Sequence, residues 1–144
     1  MNLDGNDLGI GKIDISYYDC NVRGEDRKAN IINIYSNDKN SIFSFYTVIS
    51  YDKFNKLELN RKTNLITGNL EFIDENDFYF KTEDEKYILT EEDVQMFITK
   101  IEDNKFLLEL EVKDLNSQQI PISDNESGHK YLRIDTILDF NTLQ

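Results

Sequence analysis

The feature that most constrains the fold of this chain is an alternation of apolar and polar residues with a period of two. Its clearest example lies at even-numbered positions in the C-terminal half: Phe106, Leu108, Leu110 and Val112. Glu109 and Glu111 stand between them. Because successive side chains of a β-strand point to opposite faces, this order gives one apolar face and one charged face. The segment is therefore expected to be a half-buried strand of a mainly β fold.

The same alternation, or a short run of strand-forming residues, recurs along most of the chain. The strands expected from it are residues 13–17, 32–34, 42–51, 57–59, 70–72, 78–80, 87–89, 106–112 and 131–140. Both faces of the strand 42–51 carry apolar side chains, which indicates that both faces are covered. The polar stretches 22–29, 36–40 and 115–128 are expected to be loops.

Polar turn sequences recur between residues 60 and 115 roughly every 8 to 12 residues, which is the spacing of short antiparallel strands. Examples are residues 74–77, 82–85 and 102–105. This spacing predicts an antiparallel meander that forms a sandwich or a barrel. The length of 144 residues fits a single domain, residues 1–144, with a core large enough to fold without disulfides or metals.

Residues 91–102 allow two interpretations. Thr90 and the three acids after it resemble a helix N-cap with an acidic first turn. The apolar residues that follow have the spacing of one helix face: Val94, Phe97, Ile98 and Ile101. Against a helix, residues 97–101 are rich in strand formers, and Asp103–Asn104 suit a hairpin turn. We expect the hairpin; one short helix near 91–102, which would make the fold α+β, is the alternative.

Negative charge is concentrated in one segment of the chain. The sequence has 28 acidic and 16 basic residues, a net charge of −12, and residues 71–93 contribute −8 through ten carboxylates and two lysines. An acidic surface attracts cationic partners and repels phosphate backbones. The composition therefore argues against direct nucleic-acid binding and favours a basic protein partner.

Nothing in the sequence indicates membrane insertion or export. No apolar run is long enough for a membrane-spanning helix, and residues 1–7 lack the cationic and apolar segments of a secretory signal. The single cysteine, Cys20, cannot form an internal disulfide. We expect a cytoplasmic protein, and the abundance of Asn, Ile and Lys is typical of an AT-rich bacterial or phage genome.

The residues that could carry catalysis or bind a metal form no recognisable centre. Cys20 and His129, each the only residue of its type, are more than 100 positions apart, whereas a metal site usually needs several ligands with local spacing. Residues 4–9 resemble the start of a calcium loop, but Ile15 stands where that loop needs a bidentate glutamate. No enzyme activity, metal or cofactor is expected.

Size, acidity and the lack of catalytic residues are typical of small acidic antagonists such as immunity proteins and phage inhibitors. We expect a non-enzymatic protein that docks on and occludes a basic site of a partner, such as a toxin or a nucleic-acid-binding enzyme. In the hairpin interpretation, turns at one end of the sheet supply the contacts and an exposed tyrosine acts as an anchor. The expected contact residues are Asp74, Glu75, Asp77, Tyr79, Glu91, Glu92 and Asp93.

Two other functions are compatible with the sequence. A barrel or cupped sheet lined by the many Phe and Tyr side chains could hold a small apolar or sugar ligand. An inert β domain could also be a structural subunit of a larger assembly, such as a phage particle. The oligomeric state does not follow from the sequence.

Overall fold

The computed structural model describes residues 1–22, 24–47, 56–66, 78–115, 119–121 and 131–142. Within these residues the chain forms two antiparallel six-stranded sheets that pack together as a β-sandwich. The prediction of a mainly β fold is therefore confirmed, and the α+β alternative is not needed. In this part of the chain, no helix is long and apolar enough to cross a membrane.

The first sheet joins strands that are far apart in the sequence. Its members are β1 (Asn2–Leu3), β2 (Asn6–Asp7), β6 (Lys62–Asn64), β9 (Val94–Glu102), β10 (Lys105–Val112) and β12 (Leu132–Asp139). Their spatial order is β2-β1-β12-β10-β9-β6. A short 3-10 turn, Phe140–Thr142, follows β12.

The second sheet contains the longest strands. Its members are β3 (Lys12–Val22), β4 (Glu25–Tyr35), β5 (Ile42–Thr47), β7 (Tyr79–Lys81), β8 (Glu85–Ile88) and β11 (Gln119–Pro121). Their spatial order is β11-β8-β7-β5-β4-β3, so β3, β4 and β5 form a local meander. Residues 89–93 join β8 to β9 and carry the chain from this sheet to the first one.

The core lies between the two sheets and is filled by alternate side chains of their strands. In β10 the even-numbered apolar residues from Phe106 to Val112 are buried, whereas Glu109 and Glu111 lie on the outer face. On the second sheet's side of the core, the ring of Phe43 packs edge-on against the rings of Phe45 and Phe78, whose centroids lie 5.8 and 5.7 Å from its own. Burying one such side chain contributes about 1.5–3 kcal/mol to the free energy of unfolding, so the buried side chains between the two sheets are the main source of stability.

Residues 94–112 form the expected hairpin. β9 and β10 pair antiparallel, with Val94 opposite Val112. Val94 and Ile98 are buried in the core, whereas Phe97 and Ile101 lie on the outer face. A helix would have placed all four on one side, so period two and not the helical spacing describes this segment.

Two of the expected loops contain strands. Residues 22–29 were expected to be a loop, but β3 and β4 pair without interruption up to Val22 and Glu25. A long hairpin satisfies its own backbone hydrogen bonds, so it tolerates the charged residues that indicated a loop. The expected loop 115–128 contains β11, while the loop 36–40 is confirmed.

One expected strand is reduced to an isolated bridge, and two others lie partly or wholly outside the described residues. Both faces of β5 are buried, as expected, at Phe43 and Phe45 on one side and at Ser44 and Tyr46 on the other. In the expected strand 57–59, Leu59 forms only an isolated bridge. Residues 48–51 and the expected strand 70–72 lie outside the described residues.

Candidate functional site

At one end of the sandwich, four strands of the first sheet begin or end at a common row of residues. Leu3, Leu132, Val112 and Val94 lie opposite one another in β1, β12, β10 and β9. Neighbouring strands are about 4.8 Å apart, so this row is about 14 Å wide. The residues immediately beyond the row therefore share one small surface.

We call this surface the acidic end. Its charged residues, within the described part of the chain, are Asp4, Glu91, Glu92, Asp93, Lys113 and Asp114. All are exposed except Asp93, which is half-buried. The Nζ atom of Lys113 lies 4.0 Å from the carboxylate of Glu111 on β10. Five carboxylates and one lysine give these six residues a formal charge of −4.

The turn that carries Glu91 and Glu92 is fixed by its own hydrogen bonds. The backbone N–H and the hydroxyl of Thr90 both donate to the Asp93 carboxylate, at 2.9 Å each. The Asp93 N–H donates to the Thr90 carbonyl at 3.1 Å. The bond from the Thr90 N–H to the Asp93 side chain is one half of a helix capping box, which explains the helical signal in the sequence; the other half is not formed, because the Thr90 hydroxyl donates to Asp93 and does not accept its N–H. Asp93 thus shapes the turn, and Glu91 and Glu92 are its exposed charges.

Asp4 is held at the acidic end by the pairing of β1 with β12. Its N–H donates to the Tyr131 carbonyl, and its carboxylate accepts a hydrogen bond from the Tyr131 N–H, both at 2.9 Å. Sequence reasoning missed Asp4 and Asp114 as members of this surface. Pairing between a two-residue strand and a distant one leaves no local pattern, so no sequence signal could have found Asp4.

The opposite end of the sandwich is also rich in acids, but lysines offset their charge. Glu102 forms an ion pair with Lys105 at 2.8 Å, and Asp103 forms one with Lys100 at 3.1 Å. The exposed acids of the turn 82–84 lie in sequence between two lysines. Among the described residues, the carboxylates at the acidic end therefore have fewer lysines beside them than those at the opposite end.

The structure places the expected contact residues in different locations. Glu91, Glu92 and Asp93 lie together at the acidic end. Tyr79 is half-buried on the outer face of the second sheet, where the Lys86 ammonium lies 4.7 Å from its ring centroid. The remaining expected residues lie outside the described residues: Asp74, Glu75 and Asp77.

The residues considered for catalysis and metal binding form no centre in the described part of the chain. Cys20 lies within β3, and His129 lies outside the described residues. Within the described ranges, no group of three or more His, Cys, Asp or Glu residues is placed to hold a metal ion.

A second polar feature lies on the outer face of the first sheet. Arg133 on β12 contacts three carboxylates: Asp135 at 2.9 Å, Glu111 at 3.5 Å and Glu109 at 3.9 Å. The hydrogen bond and charge of Asp135 raise the pKa of Arg133 above its usual range. The Tyr131 hydroxyl donates a hydrogen bond to the Glu111 carboxylate at 2.7 Å. This bond is the main reason that the pKa of Tyr131 is raised.

This network forms one side of a shallow groove of about 190 Å³. Lys62 lies on the other side, 3.8 Å from the Glu109 carboxylate and 4.6 Å from the ring centroid of Phe97. Gln95 adds an amide between them. The groove is smaller than the roughly 300–1,000 Å³ of most ligand pockets. Its charged lining suits a polar molecule and not an apolar one.

No protein-family model, curated protein sequence or solved structure matches this chain.

Proposed function

We propose that this chain is a non-enzymatic binding protein that docks its acidic end on a basic site of a partner protein and occludes that site. The supporting observation is the concentration of five carboxylates beyond one row of strand ends about 14 Å wide. Charges clustered in this way steer a cationic partner towards the surface and raise its association rate.

The rigidity of the acidic end favours binding. The Thr90–Asp93 hydrogen bonds hold Glu91 and Glu92 at a fixed place on the turn, and Asp4 is held by two hydrogen bonds to Tyr131. A surface that is already ordered loses little conformational entropy when it binds. The charges can therefore contribute to affinity as well as to the association rate.

The partner class we favour is a toxin or a nucleic-acid-binding enzyme. Proteins that bind phosphate backbones do so with clustered Lys and Arg side chains, which form a site of the opposite charge. Carboxylates on a compact sandwich can occupy such a site in place of phosphates. An inhibitor of the immunity-protein or phage-inhibitor type, acting in the cytoplasm of a bacterium, is the role we propose.

Capture experiments with two matched variants test this proposal. Glu91→Lys/Glu92→Lys reverses two charges at the acidic end, and Glu83→Lys/Asp84→Lys reverses two exposed charges at the opposite end. Both variants change the net charge equally. Each chain is immobilised and exposed to a lysate of the native host at low salt.

We expect the wild-type chain and the Glu83→Lys/Asp84→Lys variant to retain the same basic protein and to release it at high salt. The Glu91→Lys/Glu92→Lys variant should not retain it. If both variants retain the partner equally, or both lose it equally, the acidic end is not the docking surface.

The groove on the first sheet supports a second candidate, the binding of a small sugar. Carboxylate, guanidinium and amide groups can hydrogen-bond sugar hydroxyls, and here Glu109, Arg133 and Gln95 line one groove. A panel of mono- and oligosaccharides should then raise the melting temperature of the wild-type chain but not that of Glu109→Ala. A panel without any effect on the wild-type chain excludes this candidate.

A further inference from the structure

Within the described residues, three of the four sheet edges are short, and the fourth is long. β2, β6 and β11 span two or three residues each, and β11 ends in Pro121. β3 spans 11 residues and pairs with β4 throughout, without a bulge. In the described part of the chain, β3 is the terminal strand of the second sheet. Proteins normally protect an edge by making it short or by adding proline, bulges or charges, because a long regular edge is a template for another strand.

The charges in the first half of β3, residues 12–17, do not protect this edge. Lys12 and Asp14 lie on the outer face and form an ion pair at 3.2 Å, so together they add no net charge. Ser16, the next residue on that face, is exposed and neutral. Ile13 and Ile15 on the inner face are half-buried against the core. Residues 12–17 thus present a neutral, regular strand edge.

We propose that this edge is the interface of a homodimer, in which β3 of one copy pairs antiparallel with β3 of a second copy. The second sheets of the two copies, six strands each, then become one continuous sheet of twelve strands. Main-chain hydrogen bonds supply the attraction, as in other cases of strand addition to a sheet edge.

The sequence of β3 selects the register of this pair. In an antiparallel pair, directly opposed side chains point to the same face of the sheet. In a symmetric β3–β3 pair, one residue must therefore lie opposite the same residue of the second copy, and the two-fold axis passes between these two; we name the axis by that residue. An axis at Asp14 sets two carboxylates against each other, which is unfavourable. An axis at Ile13 leaves only three residues on each strand, because β3 begins at Lys12. An axis at Ser16 sets Ile13 opposite the charged Asp19, and an axis at Tyr17 sets Ile15 opposite it.

An axis at Ile15 avoids these conflicts. It pairs residues 12–18 of both copies and sets Ile13 opposite Tyr17, a β-branched and aromatic pair of the kind that stabilises sheets. Asp14 then lies opposite Ser16, whose hydroxyl can donate to the carboxylate. Tyr17 is 41% exposed in the single chain, and this pairing covers it.

The same geometry limits electrostatic repulsion between the copies. Because the two β3 strands run antiparallel, the acidic ends of the two chains point in opposite directions. The net charge of −12 on each copy still opposes association at long range. Salt screens such repulsion, so the dimer should become tighter as the salt concentration rises.

Substitutions at Ser16 test both the dimer and its register. Ser16→Lys sets a lysine opposite Asp14 of the second copy, and the two-fold axis creates this attractive pair twice. Ser16→Asp sets two carboxylates opposite each other, also twice. Ser16 is exposed, so neither change should disturb folding. Ile137→Lys and Ile137→Asp, at an exposed position on the outer face of β12, are controls with the same changes in net charge.

Sedimentation velocity over about two orders of magnitude in chain concentration gives the dissociation constant of each variant. We expect a concentration-dependent dimer, about two- to thirtyfold tighter for Ser16→Lys and weaker by a similar factor for Ser16→Asp. The Ile137 variants should match the wild-type chain. The proposal is overturned by a monomer at every concentration, by shifts of the same sign at Ser16, or by equal shifts in the Ser16 and Ile137 variants.

Discussion

At the scale of single residues, the Asp38 carboxylate organises the turn between β4 and β5. It accepts hydrogen bonds from the Ser36 hydroxyl at 2.6 Å and from the Asn40 N–H at 3.0 Å. These bonds, chiefly the one from Ser36, lower the pKa of Asp38 below its ordinary value of 3.8. The sequence predicted a loop at 36–40 because Asn and Asp make such local bonds, but it gave no indication of which carboxylate would accept them.

The lowered pKa sets the direction of a pH effect. Since Asp38 binds its proton more weakly when folded, its stabilising contribution is fully present above pH 3.8 and is lost as the pH falls through the folded pKa. Ser36→Ala removes the main donor, so the pKa of Asp38 should rise towards 3.8, as measured by NMR titration of its carboxyl carbon. An unchanged pKa in Ser36→Ala contradicts this assignment.

At the scale of elements, Ile98 and Ile101 distinguish a strand from a helix in β9. Ile98 is 1% exposed and Ile101 is 40% exposed. Ile98→Ala should therefore lower the free energy of unfolding by about 2–5 kcal/mol, because it leaves a cavity in the core. Ile101→Ala should change it by about 0.5 kcal/mol or less. Urea denaturation measures both, and similar losses at the two positions would indicate a shared helix face.

Strands with a strong local pattern could be predicted from the sequence, and those fixed by distant pairing could not. β10 carries an apolar residue at every even-numbered position, and the turn residues Asp103 and Asn104 predicted its hairpin with β9. β1 and β2 have two residues each, too few to show any period, and they form because β12 lies beside β1. For the same reason, Glu91 and Glu92 could be predicted as turn acids, while the addition of Asp4 required the fold.

At the scale of the whole molecule, the two ends of the sandwich differ in charge compensation. Ion pairs with lysines offset Glu102 and Asp103, whereas the acidic end has one lysine among its six described charged residues. The turns at 82–84 and 91–93 are separated by the length of β8 and its flanking residues, about 20 Å. This distance exceeds the screening length of about 8 Å at physiological salt, so the two ends act as separate surfaces.

The most direct test of the proposed docking surface is the rate at which the captured partner associates with three chains at several salt concentrations. These are the wild-type chain, Glu91→Lys/Glu92→Lys and the control Glu83→Lys/Asp84→Lys. At low salt we expect the acidic-end variant to associate about tenfold more slowly than the wild-type chain, with a weaker salt dependence, and the control to stay close to the wild-type rate. Equal rates and equal salt dependence for the two variants would contradict docking through the acidic end.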